Sequence, residues 1–362
     1  MPQGVGNIVD DDLVVSRSWG YNGYAQVGDN TLTSRPRPTV VNLGQVDAVA
    51  AGGFHSLALQ GGTVYSWGLG HVGQLGRSPT QPRVPLPVGG LSGVTAVSAG
   101  VFHSLALKSD GTVWAWGWNA YGQIGDGTTV DRPAPVEVVG LTGVVAIAAG
   151  GLHNLALKGD GTVWAWGYNG VGQLGTAGPA QSTTAHPVPG LTGVTAIGAG
   201  AYHSLAVRAG GTVAAWGWNP WGQLGDGTTT NRSAPVTVLG LTGIVAVVGG
   251  TGHSLALGAD GLVRSWGLGA SGQLGRPVAG ASSATAAVVP GVAGVTTVAA
   301  GGYHSVVLLP EGIVWAWGWN AFGQLGDGST VNQPSPIPVM YAAVFSISAG
   351  VGHGVAAGVD NS

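Results

Sequence analysis

The 362-residue sequence contains no cysteine. Disulfide frameworks, thiolate nucleophiles and thiolate metal sites are therefore excluded. Charge is scarce as well, at 7% of residues, against roughly a quarter in ordinary soluble domains. The 12 basic and 15 acidic residues leave a net charge of -3 and form no Lys/Arg cluster. That removes the phosphate-binding footprint of a nucleic-acid partner, and nine histidines do not restore it at neutral pH. Glu137 and Glu311 are the only glutamates, and no paired-carboxylate constellation, Gly-x-Ser-x-Gly elbow or P-loop occurs. The Gly-rich runs lie between strand patterns and open no helix, so the phosphate-cradling reading fails on context. An enzyme would have to assemble its site from scattered, asymmetric loop residues.

Long uninterrupted apolar runs are missing too, although the mean hydropathy is +0.31. The most apolar window, residues 138–157, is punctuated by Gly140, Gly143, Gly150 and Gly151. It reads as strand, turn, strand and not as a membrane span of about 20 residues. The N-terminus, MPQGVGNIVDDDL, is acidic and has no apolar signal core.

What is present is a repeat. A Trp-Gly pair followed by Gly-Gln-[Leu/Ile/Val]-Gly recurs around Trp19, Trp67, Trp116, Trp166, Trp216, Trp266 and Trp317, at spacings of 48, 49, 50, 50, 50 and 51 residues. A unit of this size cannot bury an apolar face alone, so seven units must stack into one structure. A composition with 69 glycines is compatible with disorder, but the 14 tryptophans and the β-branched residues keep a strict period that disordered chains lack.

Inside the unit of Trp116, residues 94–98, 104–108, 112–116 and 135–139 carry short strand patterns separated by Gly, Asp-Gly and Pro. Asp110-Gly111, Asp160-Gly161 and Asp260-Gly261 are hairpin signals, and Gln60-Gly61-Gly62 is a turn one residue shorter. Asp10, Asp11 and Asp12 lead into residues 13–41, which match only the second half of a unit. Residues 344–357 match only the first half. A closed ring explains both, with the termini pairing to complete the last unit. The expected fold is an all-β, seven-bladed β-propeller of four-stranded antiparallel blades, one domain over residues 1–362. Antiparallel order puts the Ala-Gly-x-x-His turns and the long Asn-x-x-Gly-Gln loops on one face of the disc. The tight hairpins fall on the other.

The motifs Ala-Gly-x-x-His-Ser-Leu-Ala-Leu, Asp-Gly-Thr-Val-Trp-Ala-Trp-Gly and Asn-x-x-Gly-Gln-Leu-Gly-Asp-Gly-Thr together resemble the repeat proteins named after the regulator of chromosome condensation. The resemblance covers essentially the full chain. It implies a seven-bladed propeller closed by strands from both termini. The family includes a guanine-nucleotide exchange factor for a small nuclear GTPase, a plant ultraviolet-B photoreceptor and secreted bacterial inhibitors of β-lactamase. The resemblance thus implies a fold without choosing an activity. This chain lacks the exchange factor's basic tail and any long wedge-like insertion. It also lacks the photoreceptor's Gly-Trp-Arg-His-Thr signature. The low divergence between units and the Ala/Gly/Val/Thr bias look like a bacterial member, similar in architecture to the inhibitor propellers, either secreted or cytoplasmic.

Residues present in every unit are expected to build the blade. His55, His103, His153, His203, His253, His304 and His353 each follow a glycine turn, where an imidazole can tie adjacent backbone groups. Seven-fold spacing sets them too far apart for one tetrahedral ion. Trp19, Trp67, Trp116, Trp166, Trp216, Trp266 and Trp317, with Trp114, Trp164 and Trp315, are expected between blades. Gln26, Gln74, Gln123, Gln173, Gln223, Gln273 and Gln324 belong to the same class. Asp126, Asp226 and Asp327 read as Asx turns capped by Thr or Ser hydroxyls and not as calcium loops. His71 and His186 fall outside the pattern and are expected in exposed loops.

The less regular aromatics are the candidates for binding. Phe54, Phe102, Tyr202 and Tyr303 occupy short turns; Tyr121, Trp221 and Phe322 occupy a loop position held elsewhere by Val72, Val171 and Ser271. Trp118, Trp218 and Trp319 begin the long loops, with Tyr21 and Tyr168 in the same place. All fall on the long-loop face, either as anchors for a partner or as padding of the loops against one another. The expected function is a non-catalytic scaffold for another protein or peptide, monomeric, with no cofactor, metal, nucleic acid or membrane. The alternatives are a small-molecule or glycan binder (or enzyme) using the central depression, and a structural repeat module of a larger protein.

Overall fold

The computed structural model describes residues 13–77, 81–341 and 343–360. Asp10, Asp11 and Asp12 lie outside the described residues. Within them the strand patterns form seven four-stranded antiparallel sheets. Blades 1 to 6 comprise residues 48–87, 94–137, 144–187, 194–237, 244–288 and 297–341. Blade 7 joins Leu13–Gly20 and Arg35–Val41 to Ala343–Ala349 and His353–Asp360. Its halves pair without a break from Leu13 opposite Asp360 to Gly20 opposite His353. The ring therefore closes by hydrogen bonds between the two ends of the chain, as expected.

Strand boundaries differ from the expectation mainly at the outer edge. In blade 2 the strands are Val94–Ala99, His103–Lys108, Val113–Gly117 and Arg132–Glu137. The fourth begins three residues before the apolar run at 135. Pro133 and Pro135 disguise it, because proline is tolerated only where the missing N–H faces outward from an edge strand. The pairing slips between Arg132 and Val136, so the strand is bulged as well. The apolar window at 138–157 resolves into Val144–Ala149 and His153–Lys158 with a turn between. No helix among the described residues is long and apolar enough to cross a membrane.

Each repeat's tryptophan packs against the blade before it. Trp166 of blade 3 lies among Leu105, Leu107, Val113, Ile124 and Val138 of blade 2. Trp116 lies among Leu57, Leu59 and Val64 of blade 1. Trp19 closes the circle against Val306, Leu308 and Val314 of blade 6. All seven of these rings are fully buried, each contributing about 5 kcal/mol at most from some 200 Å² of apolar area. Trp114 and Trp164 are only half-buried; Lys108 and Lys158 lie over their rings at 5.3 and 5.1 Å. Trp114, Trp164 and Trp315 nonetheless pack against the same inter-blade clusters as Trp116, Trp166 and Trp317, as expected.

Candidate functional site

The recurrent polar residues form a buried girdle between blades. Each histidine is fully buried, and six of the seven reach into the next blade, not to their neighbouring backbone. His55 Nε2 is 2.9 Å from Ser104 Oγ, His203 Nε2 is 2.8 Å from Ser254 Oγ, and His353 Nε2 is 2.9 Å from Ser56 Oγ. His153 and His253 make the same bond, to Ser204 and Ser305. His103 meets Asn154 Oδ1 at 2.7 Å, an acceptor only, so its Nε2 carries the proton. The serines already donate to a main-chain carbonyl, as Ser254 does to Gln223 O at 2.9 Å, and must accept from Nε2–H.

That same carbonyl accepts the indole N–H of the next blade's tryptophan, Trp266 Nε1 to Gln223 O at 2.8 Å. One glutamine carbonyl therefore ties the Trp and Ser of the following blade together. Burial pushes all seven histidines down from 6.5, His55, His153, His253 and His353 to about 3 and His103, His203 and His304 to about 4. At neutral pH they are uncharged. His304 is the exception in bonding. Gly354 replaces the serine there because Trp19 fills the space a Cβ would need, and its Nε2 has no partner.

Glycine is required beside this girdle. A Cβ on Gly100 would stand 2.2 Å from His103 Cε1 and 2.7 Å from Gly150 O of the next blade. The short turns of neighbouring blades approach this closely because they bond through backbone. Gly53 N donates to Gly100 O, Val101 N to Gly151 O, Ala201 N to Gly250 O and Thr251 N to Gly302 O, and Val351 N returns to Gly52 O. They rim a central channel of about 330 Å³, lined by Val, Ala, Gly, Ile, Ser and Thr, with no titratable side chain.

Five of the seven long loops are built around an asparagine (Asn22, Asn119, Asn169, Asn219 and Asn320), a residue whose role is not apparent from motif spacing alone; blades 1 and 5 have Gly70 and Gly269 there. Asn119 Nδ2 donates to Asp126 Oδ1, Thr128 O and Val130 O, and Asn119 Oδ1 accepts from Ile124 N. Asp126 Oδ1 takes Thr128 N at 3.0 Å and Thr128 Oγ1 at 2.8 Å, the expected Asx turn. Its second oxygen takes Arg132 Nε at 2.5 Å, a partner that the Gly-Asp-Gly spacing does not reveal. The hydrogen bonds from Thr128 and Arg132, with the Arg132 charge, outweigh the effect of burial and hold the carboxyl below its usual range.

On this rigid base the irregular aromatics come together. From Trp221 the rings run in contact through Trp218, Tyr202, Tyr168, Tyr121, Trp118 and Phe102. The arc continues through Phe54, Tyr24, Tyr21, Phe322 and Trp319 to Tyr303, with centroid separations of 4.6 to 6.4 Å over its length. His71, exposed as expected, touches Phe102; His186 is instead half-buried in the strand Gln181–Pro187. None of the thirteen rings is buried; Tyr24 and Phe322 are 38% and 39% exposed and the others are half-buried. The arc opens only at blade 5, where Thr251, Gly252, Leu268 and Ser271 stand.

Its members are fitted to one another. Where the loop side chain is small, the short turn of the following blade is aromatic: Val72 is followed by Phe102, Val171 by Tyr202 and Ser271 by Tyr303. Where the loop residue is Trp221 or Phe322 the turn gives way, whereas Tyr24 and Phe54 are both aromatic and meet edge to face at 5.4 Å. A Cβ on Gly252 would lie 2.5 Å from the Trp221 ring, and Gly352 leaves room for Phe322. The rings therefore both pad one another and present a continuous apolar surface.

The family model described as the RCC1-like domain matches residues 16–356. The Arabidopsis thaliana ultraviolet-B receptor UVR8 is 34% identical over 65 residues, 17% of this chain and 15% of that protein. The matched stretch thus spans well under two thirds of that curated relative. The crystal structure of human WBSCR16 superposes with a TM-score of 0.87 at 24% identity, over 96% of this chain and all of that one. Yeast Prp20, solved bound to Kap60, gives 0.88 at 23% identity over 97% and 90% of the two chains. A second structure of Saccharomyces cerevisiae Prp20p, described with its binding to Gsp1p and histones, gives 0.87 at 24% identity over 97% and 93%. The expected bacterial setting, secreted or cytoplasmic, is overturned by these findings. The three solved structures above are human and yeast proteins, and the yeast one is described with its binding to histones.

Proposed function

The chain belongs to the RCC1-like domain family, and from that premise we propose that it is a non-catalytic scaffold that holds another protein on its long-loop face. The observation that carries this reading is the arc of thirteen touching, incompletely buried aromatic rings. Aromatics held in place by their neighbours lose little entropy on binding and dominate interface energetics. The girdle of His, Ser, Trp and Gln supplies the rigidity. Phe54, Phe102, Trp118, Tyr121, Tyr202, Trp218, Trp221, Tyr303, Trp319 and Phe322 are the proposed contacts; Tyr21, Tyr24 and Tyr168 join them.

Prp20p's described partners, Gsp1p and histones, define the first candidates to assay. With 15 acidic residues in the whole chain, several of them already paired, charge offers little to a basic histone. A globular partner of the Gsp1p kind, docking through an apolar patch, suits this surface better. The likeness to β-lactamase inhibitor propellers rests on architecture, which by itself names no partner. The test is binding of the purified candidates to the full chain and to F102L/Y121L/Y202L/W221L, which keeps apolar bulk and removes four rings. Loss of binding with an unchanged fold supports the reading. Equal binding by the variant, or cross-links mapping to the hairpin face, would refute it.

A further inference from the structure

The residue after Gly-Gln-[Leu/Ile/Val]-Gly is charged in six blades, and each charge is used within its own blade. Asp29, Asp126, Asp226 and Asp327 serve the asparagine-centred loops. Arg77 and Arg276 do something different. Arg77 donates to Ser66 O and Oγ at 2.5 and 2.7 Å, and to Leu86 O and Pro87 O at 3.2 and 2.9 Å. Arg276 donates to Ser265 Oγ and O at 3.2 and 2.9 Å, to Ser283 Oγ at 3.2 Å and to Thr285 O at 3.3 Å. In both blades a guanidinium is seated between the third and fourth strands, held by carbonyl and hydroxyl oxygens.

Blade 3 has Thr176 at this step and Ser182 six residues on, so neither an Asp-Arg pair nor an inward arginine is supplied. A cavity of about 280 Å³ opens there instead, with Asn169, Thr176, Gln181, Ser182, His186 and Pro187 in its wall. Strand register identifies the place. Ser182 lies opposite Gly167 as Ser283 lies opposite Gly267. His186 faces Ala165 as Leu86 faces Ser66, and Pro187 faces Trp164 as Pro87 faces Tyr65. Ser182 Oγ donates to Thr184 O at 2.8 Å, reproducing Ser283 Oγ to Thr285 O at 2.9 Å. The wall of the cavity thus includes the fourth-strand positions that help hold a guanidinium in blades 1 and 5, with Leu174 and Pro179 completing it.

A second observation points the same way. The position of His186 is apolar in blades 1, 2, 4, 5 and 6, as Leu86, Val136, Val236, Ala287 and Ile337. In blade 7 the position is Thr39, so blade 3 alone places an imidazole there, beside the cavity. We propose that the blade 3 cavity binds a guanidinium group, carried by a free guanidino compound or by an arginine side chain of a partner. Planar donors match a ring of fixed oxygen acceptors better than a compact ammonium does. Ala165 stands where the arginine-bearing blades have Ser66 and Ser265, so Ser182, Gln181 and His186 supply the side-chain contacts.

The experiment titrates the full chain with methylguanidinium below denaturing concentration, with N-acetyl-arginine amide, and with methylammonium as the control, following backbone amide shifts. Saturable shifts centred on Gln181, Ser182 and His186 are expected with the two guanidinium probes and not with methylammonium. Thr176→Arg, which grafts the head group of Arg77 and Arg276 into the seat, abolishes them. His186→Leu, the blade 1 residue, weakens them several-fold and serves if the graft does not fold. A stronger response to the arginine amide assigns the source to a partner's side chain, and an equal response assigns it to the head group alone. No saturable shift at these amides, an equal response to methylammonium, or shifts that survive both substitutions would overturn the proposal.

Discussion

Acidification tests the histidine girdle most directly. All seven rings are buried and neutral in the folded protein, with pKa values of about 3 to 4. The unfolded chain takes up protons near 6.5. Because the folded values are depressed, the stability these residues contribute is complete above pH 6.5 and is lost as pH falls toward 4. Each unprotonated ring costs about 1.4 kcal/mol per pH unit once the unfolded form is charged. Between pH 7 and 5.5 that amounts to roughly 1.3 kcal/mol per histidine and about 9 kcal/mol for seven. A loss of this size rivals the whole stability of a typical folded protein, about 5–15 kcal/mol. Urea titrations at pH 7.5, 6.5, 6.0 and 5.5, read by fluorescence of the 14 tryptophans, should show the midpoint collapsing and acid unfolding between about pH 5 and 6. The buried-loop aspartates titrate in a lower window, below 3.8, and do not confuse it. His203→Gln should lower the pH slope by one proton in seven. Stability constant to within about 1 kcal/mol from pH 7.5 to 5.5 would refute the argument, since that is less than one histidine's share.

Two further substitutions probe the girdle's geometry. Gly100→Ala places a methyl 2.2 Å from the His103 ring and 2.7 Å from Gly150 O; overpacking against backbone should cost 3 kcal/mol or more, roughly the upper end for cores, measured by urea unfolding. Ser254→Ala strands the Nε2–H of His203 and should cost about 1–3 kcal/mol, whereas Ser254→Asn, the residue found at Asn154, should cost far less in the same measurement.

The seven-fold period, the four short strands per unit and the completion of one blade by both termini were determined by the sequence alone. Each rests on local rules: Trp-Gly spacing, Asp-Gly and Gly-Gly turns, and half-units at the two ends. The shared face of turns and long loops followed from antiparallel order, before any coordinate. The partners across blade boundaries were not legible. His203 and Ser254, or Arg132 and Asp126, are joined by register and by the angle between sheets, which no motif spacing states. The fourth strands were misplaced because prolines on an outer edge look like loops. Only the assembled ring showed that Gly252 makes room for the Trp221 ring. The blade 3 cavity required it as well, since an empty seat is visible only when the same strands in blades 1 and 5 are seen to be occupied. Sequence carries what neighbours in the chain impose, whereas closure of the disc sets which distant side chains meet.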